Sequence, residues 1–462
     1  MANISFGTDG FRGILNKDFN EANVKTIVKA CGKYILETYG ADKKIIIGYD
    51  PRNQAKEYAH YTANLLLDFG FDVCVSKKII PTPMIAFSAR YYKACAFMIT
   101  ASHNPPEYLG IKFIPDFGGP ATSDITNKIT KYFDDNDFLV NREGKPLDLD
   151  LEKPYFEHIK SLINIEKIKN IKSNIIYDGL YSSTIDYFDK FLEENGISFE
   201  KINCFHDINF GGGMPDPKPK YLKTLIEKIK TQPDTVGMAN DGDGDRYGVI
   251  NENGEYVTPN EIMGILLKHL IKNKNAKGDL AITVAGSSML KILAKKLNVK
   301  VIETPVGFKW LGEAMRKNNV ILAGEDSGGL SIGSHIPEKD GIIANLLILE
   351  AMGYEEKSLA ELQKELHNFV GTEFKQDRLD YKFDNKDEMK SVIEKISEIN
   401  DFPYKIIDIK KIDGLKISFE NESWILVRPS GTEPLLRVYF EAQPKNLEEL
   451  EIFVDKKIKS FL

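Results

Sequence analysis

The chain has 462 residues, 42% of them apolar and 28% charged, with a net charge of −7. At about 150 residues per domain that length suggests roughly three domains, and the acidic balance argues against a nucleic-acid surface. No apolar run reaches membrane-spanning length. The opening MANISFGTDG lacks a charged segment followed by an apolar one, and Cys31, Cys74, Cys95 and Cys204 show no CxxC spacing. A cytoplasmic protein with reduced core thiols is therefore expected.

The predicted elements follow one grammar: strand, polar loop, helix. Residues 43–48 (KKIIIG) read as a buried strand ending in Tyr49-Asp50-Pro51-Arg52. An amphipathic helix with Tyr58, Tyr61, Leu65 and Phe69 on one face follows. Residues 71–75 and 94–99 are further strands, and the latter runs into TASHNP (100–105). A second round has a strand at 174–177, a helix at 184–195 and a strand at 235–238 that leads into DGDGDR (241–246). A third has strands at 280–284, 300–303 and 320–323 with helices at 287–297 and 309–317, and it leads into GEDSGG (324–329). The rounds lie roughly 100 residues apart and share no clear sequence identity. Such alternation predicts α/β domains with largely parallel sheets, and ligands bind at the carboxyl ends of such strands. From about residue 372 the strands come closer together, with helices at 386–398 and 446–462. That stretch predicts a smaller α+β domain. Boundaries fall at 1–150, 151–252, 253–367 and 368–462.

Four polar strings carry the chemistry. In DGDGDR, Asp241, Asp243 and Asp245 crowd three carboxylates onto a glycine-spaced loop closed by Arg246. Such crowding calls for a divalent cation or a basic partner. An EF-hand loop competes, since Glu252 even falls at its twelfth position, but Arg246 stands where the sharp turn requires glycine. A strand also precedes the loop and a hairpin-like Asn253-Gly254 follows it, in place of flanking helices. The loop therefore suits a Mg²⁺ ion that keeps positions open for a phosphate oxygen. In TASHNP, Ser102 is a candidate nucleophile and the neighbouring His103 a candidate base, against the reading of an ordinary polar turn. No GxSxG elbow surrounds Ser102. In GEDSGG, Glu325 and Ser327 suit vicinal hydroxyls. In RPSGTEP (428–434), Arg428, Ser430, Gly431 and Thr432 suit a phosphate, and a plain turn competes in both cases.

In this order the four strings resemble the signature loops of the α-D-phosphohexomutase superfamily over essentially the whole chain, and FGTDGFRG (6–13) resembles its opening segment. GIKF and GGPA (110–121), PVGFKW (305–310) and SHIPEKDG (334–341) resemble phosphoglucomutases most. The resemblance implies three related α/β domains with mixed, largely parallel sheets and a smaller C-terminal α+β domain, heart-shaped around a central cleft. It implies phosphohexomutase activity on glucose 1- and 6-phosphate, with phosphomannomutase or phosphoglucosamine mutase as the alternative. A non-catalytic sugar-phosphate sensor is the reading from another class. Ser102 would carry the phosphoryl group and, with Asp241, Asp243 and Asp245, bind Mg²⁺. Glucose 1,6-bisphosphate would be the activator. Glu325, Ser327 and Lys309 would hold the sugar, and Arg428, Ser430, Gly431 and Thr432 the distal phosphate. Arg12, Lys112, Arg246 and Lys339 would neutralise charge or move protons. Where the sugar loop of many members ends in histidine this chain has Gly329, so that side of the site is expected to be roomier. Nothing in the sequence sets an oligomeric state.

Overall fold

The computed structural model describes residues 4, 10–134, 143–383, 385–429 and 435–461. The first domain contains β1 (Phe11–Ile14), α1 (Glu21–Tyr39), β2 (Ile45–Tyr49), α2 (Ala55–Asp68), β3 (Val73–Val75), α3 (Thr82–Tyr91), β4 (Cys95–Ile99), β5 (Tyr108–Ile114) and α4 (Ser123–Thr130). The second has α5 (Lys153–Leu162), α6 (Ile165–Lys169), β6 (Asn174–Asp178), α7 (Phe188–Glu194), β7 (Glu200–Ile202), α8 (Lys223–Thr231), β8 (Thr235–Asn240), β9 (Tyr247–Ile250) and β10 (Tyr256–Val257). The third has α9 (Pro259–Lys274), β11 (Asp279–Thr283), α10 (Ser288–Lys296), β12 (Val301–Thr304), α11 (Phe308–Lys317), β13 (Val320–Gly324), β14 (Leu330–Ile332), α12 (Gly341–Glu355) and α13 (Leu359–Val370).

One sheet plan recurs in all three. A central strand (β2, β6 or β11) pairs in parallel with two neighbours, β3 and β4, β7 and β8, or β12 and β13. The last strand of each trio then turns back into an antiparallel partner, β5, β9 or β14. TASHNP, DGDGDR and GEDSGG each occupy that turn. The repeat inferred from the spacing is thus a repeat of topology, and it puts each polar string at the carboxyl end of a parallel strand.

The C-terminal domain is a five-stranded antiparallel sheet, ordered β15 (Lys375–Lys382), β19 (Leu435–Ala442), β18 (Trp424–Pro429), β17 (Leu415–Phe419), β16 (Ile406–Lys410). Helices α14 (Lys386–Ser397) and α15 (Pro444–Phe461) accompany it. As the periodicity predicts, α15 buries Leu450, Val454 and Ile458.

Caps set several helix ends. Thr258 and Glu261 form a capping box at α9 with Pro259 in the first turn, and Ser358 and Glu361 form another at α13. One apolar cluster runs through the first three domains, from Ile46 and Met84 through Tyr177 and Phe188 to Leu280 and Leu346. The C-terminal domain keeps a core of its own and meets the third domain at a small cluster of Val284, Ala285, Trp424 and Leu426. Polar contacts add to that cluster, among them Lys416 Nζ to Val284 O at 2.6 Å and Ser288 N to Glu441 Oε1 at 2.6 Å. Among the described residues no helix is long and apolar enough to cross a membrane. The cysteines are free, with Cys31, Cys74 and Cys95 buried and Cys204 partly so.

Candidate active site

Ser102 begins the turn out of β4 with φ +52°, in the left-handed region. Ser102 is only 1% exposed. The acidic loop of the second domain covers it, and its Oγ donates to Asp241 Oδ2 at 2.9 Å. His103 Nδ1 lies 3.4 Å from the same oxygen. Burial, then the Arg246 and Arg12 cations, hold the His103 imidazole far below the usual histidine range, so it is neutral. Arg12 Nη1 donates to Asn104 Oδ1 at 2.8 Å, fixing the far side of the loop.

DGDGDR curls as the glycine spacing implies, with Gly244 at φ +75°. Asp241, Asp243 and Asp245 are fully buried and offer oxygens within 4.8 Å of one another. Lys112 Nζ bridges Asp243 Oδ2 at 2.6 Å and Asp245 Oδ2 at 3.0 Å, and Lys339 Nζ reaches Asp245 Oδ2 at 3.2 Å. Thr82 Oγ1 also donates to Asp243 Oδ2, at 2.7 Å. Burial and then the Asp245 and Asp243 carboxylates push the Asp241 carboxyl well above the usual range. Burial would raise Asp243 as well, but the Lys112 ammonium, the Thr82 hydroxyl and the Lys339 ammonium together outweigh it and hold that carboxyl low. Asp243 Oδ1 and Asp245 Oδ1 are buried with no hydrogen-bond partner. Buried carboxylate oxygens without partners are costly, and a hard divalent cation satisfies them, so this donor set fits Mg²⁺.

The GEDSGG loop lies against the acidic loop. Arg246 and Gly329 form an antiparallel bridge, and Tyr247 N donates to Gly328 O at 3.1 Å. Arg246 is 9% exposed, and its Nε has no hydrogen-bond partner and sits 4.0 Å from Asp245 Oδ1. Glu325 is buried and accepts from Ser327 Oγ at 2.8 Å. Burial raises the Glu325 carboxyl against the pull of Lys339 and Arg246. The roomier site expected at Gly329 is not found. A Cβ there would lie 2.3 Å from Lys339 Cδ, because the lysine stem fills the space a side chain would take.

Lys309 is half-buried in the first turn of α11, with its Nζ 5.0 Å from the centre of the Trp310 ring. Arg428 is the penultimate residue of β18, and its Nε donates to Asp413 Oδ2 at 2.8 Å. That same Asp413 oxygen accepts from Val306 N of the third domain at 3.0 Å. Ser430, Gly431 and Thr432 lie outside the described residues. The sequence reading missed Asp50, Arg52, Thr82, Thr100 and Asp413. Of these, Thr100 stood in TASHNP without a role of its own, and Asp50 and Arg52 left a signal as a charged pair straight after a buried strand.

Fold and site together define an enzyme that transfers phosphoryl groups, built from three α/β/α domains and a C-terminal domain. Four family descriptions match in chain order: phosphoglucomutase/phosphomannomutase alpha/beta/alpha domain I over residues 3–140, domain II over 153–254, domain III over 258–369 and the C-terminal domain over 380–455. The chain is 31% identical to the phosphoglucomutase/phosphomannomutase of Thermococcus kodakarensis, over 97% of each chain. It is also 31% identical to the phosphoglucosamine mutase of Methanococcus vannielii, over 87% of this chain and 88% of the other. The solved structure of a "putative phosphomannomutase" from Thermus thermophilus superposes with a TM-score of 0.87 at 30% identity, covering 99% of each chain. The chain belongs to the phosphoglucomutase/phosphomannomutase family, in the α-D-phosphohexomutase superfamily, and is an intramolecular phosphotransferase of that type.

Proposed function

We propose that the protein interconverts α-D-glucose 1-phosphate and glucose 6-phosphate through a phosphoserine at Ser102 and a 1,6-bisphosphate intermediate. The observation that carries this is Ser102 Oγ held 2.9 Å from Asp241 at the edge of three converging carboxylates. Ser102, Asp241, Asp243 and Asp245 would hold Mg²⁺, which supplies charge neutralisation at the transferring phosphoryl oxygens. Around Asp241, Asp243 and Asp245 stand three cations, Lys112, Lys339 and Arg246. A phosphoserine of charge near −2 and a divalent cation therefore enter together without unbalancing the site.

In the first half-reaction the bond from phosphorus to Ser102 Oγ breaks and a bond to the free sugar hydroxyl forms. The hydroxyl gives up one proton and Ser102 Oγ gains one, so the step is balanced. The bisphosphate then turns end for end and returns its other phosphoryl group to Ser102. Arg246, with an unpartnered buried Nε, and Arg12 are placed to bind phosphate oxygens near Ser102. Glu325, Ser327 and Lys309 would orient the sugar. Arg428, with Ser430, Gly431 and Thr432, would hold the distal phosphate. Reorientation needs room, and the separate core of the C-terminal domain supports its movement. Free bisphosphate would act as activator by phosphorylating Ser102.

A second reading rests on the relatives, whose names include phosphoglucosamine mutase at the same identity as phosphoglucomutase/phosphomannomutase. Glu325 and Ser327 would face hydroxyls that glucose, mannose and glucosamine present alike. Measured kcat/KM for the three hexose 1-phosphates decides it, and a higher value for glucosamine 1-phosphate would replace glucose as substrate. Ser102→Ala tests the mechanism itself. It should lose turnover and, by intact mass, the single added phosphate, and near-native turnover would sink the phosphoserine.

A further inference from the structure

Asp50-Pro51-Arg52 follows β2, and the chemistry above leaves it unused. We propose that Arg52 is a positioning residue for phosphoryl transfer, which clamps the backbone of residues 102–108 so that Ser102 faces the acidic loop. The inference rests on Ser102 being the phosphorylated residue.

Arg52 is 3% exposed. Its Nε donates to Asp50 Oδ2 at 3.2 Å. Nη1 donates to Pro105 O at 2.8 Å and Tyr108 O at 3.1 Å. Nη2 donates to Ser102 O at 2.6 Å and Asn104 O at 2.7 Å. A guanidinium has five N–H groups, and all five are used. None is left for a phosphate oxygen, so Arg52 acts on the loop and not on substrate. Four carbonyl oxygens that could otherwise turn toward the phosphoryl group and repel it are gathered onto one cation.

The peptide groups on both sides of Ser102 are fixed from the same source. Asp50 Oδ2 accepts from Thr100 Oγ1 at 2.5 Å, and Thr100 Oγ1 accepts from Ser102 N at 2.8 Å. The Asp50–Arg52 pair thus holds the Ser102 N–H through Thr100 and its C=O directly. A non-glycine residue at φ +52° is strained and persists only where its surroundings over-determine it. The buried ring of Phe210, from the second domain, lies 4.9 Å over the guanidinium and closes it from water. Lysine cannot replace this fork, because its three donors radiate from one atom.

The test compares Arg52→Lys, Arg52→Ala and Asp50→Asn with the native enzyme, using glucose 1-phosphate and bisphosphate. Melting curves check folding, and intact mass reports Ser102 phosphorylation. Arg52→Lys should lose on the order of 10²-fold in kcat, the usual cost of misplacing a reacting group by about 1 Å, with KM nearly unchanged. Asp50→Asn, which removes the charge orienting the fork, should lose about tenfold. Free guanidinium at low concentration should restore part of the Arg52→Ala activity and none of the Arg52→Lys activity. Native kcat in folded Arg52→Lys overturns the inference. So does a raised KM at native kcat, which would make Arg52 a substrate ligand. If Arg52→Ala does not fold, Arg52→Lys decides alone. Ser102→Ala separates the two claims: if it is dead while Arg52→Lys is native, only the clamp fails, and if it turns over, the phosphoserine fails.

Discussion

Gly329 and Lys339 share one volume, and Gly329→Ala tests the consequence. The added Cβ would sit 2.3 Å from Lys339 Cδ and 2.8 Å from Cγ, where ordinary contact begins near 3.4 Å. The stem must therefore withdraw by about 1.1 Å. Lys339 is only 2% exposed, and its Nζ is 3.2 Å from Asp245 Oδ2, so the same withdrawal, taken directly away from Asp245, would carry that contact beyond 4 Å. Removing one partner of a buried ion pair costs about 3–5 kcal/mol. Here the lysine shifts rather than disappears, and Asp245 keeps Lys112 at 3.0 Å. The expected loss is therefore smaller, about 1.4–2 kcal/mol of transition-state stabilisation, or roughly 10- to 30-fold in kcat/KM. The backbone adds nothing, since the φ of Gly329 is not among the positive ones. The assay is a double-mutant cycle on kcat/KM with Gly329→Ala, Lys339→Ala and the pair. Once the stem is gone, the alanine at 329 should cost nothing further. Fully additive losses would refute the shared-volume argument.

Asp243→Asn should weaken Mg²⁺ binding and slow turnover by orders of magnitude, and activity of the native enzyme that survives EDTA would contradict a catalytic metal. Asp413→Asn keeps an acceptor for Val306 N but loses the charge facing Arg428, so KM for the phosphosugar should rise about 3- to 10-fold at near-native kcat. An unchanged KM would disconnect Asp413 from the phosphate site. His367 bonds Glu261 Oε1 at 2.8 Å, and that bond raises the imidazole above its ordinary value of 6.5 against its burial. A raised histidine contributes stability fully present below pH 6.5 and lost as pH rises through the folded value. The melting temperature of His367→Gln should therefore trail the native protein most below pH 6.5 and converge with it as pH rises through the raised folded value, whereas a pH-independent gap would rule out the ion pair.

Local chemistry alone determined much of this protein. The polar strings are contiguous, and each follows a short apolar run, so β4, β8 and β13 and the loops after them were legible from composition and spacing. Helix α15 was legible because only one of its faces is buried, which leaves a periodic pattern in the residues. Helix α12 was not, since Gly341 through Gly353 are buried on every side and a helix apolar all round carries no period. The same limit applies to the site. Sequence could place Asp241, Asp243 and Asp245 together because they are neighbours along the chain. It could not show that Lys112 lies between Asp243 and Asp245, that Lys339 fills the space beside Gly329, or that Arg52 gathers four carbonyls of the serine loop. These contacts join residues that lie far apart along the chain, 50 positions for Arg52 and Ser102 and 131 for Lys112 and Asp243. Only folding brings them within a few ångströms, and only burial there makes a charge pair or a methylene's worth of space decide what the site can do.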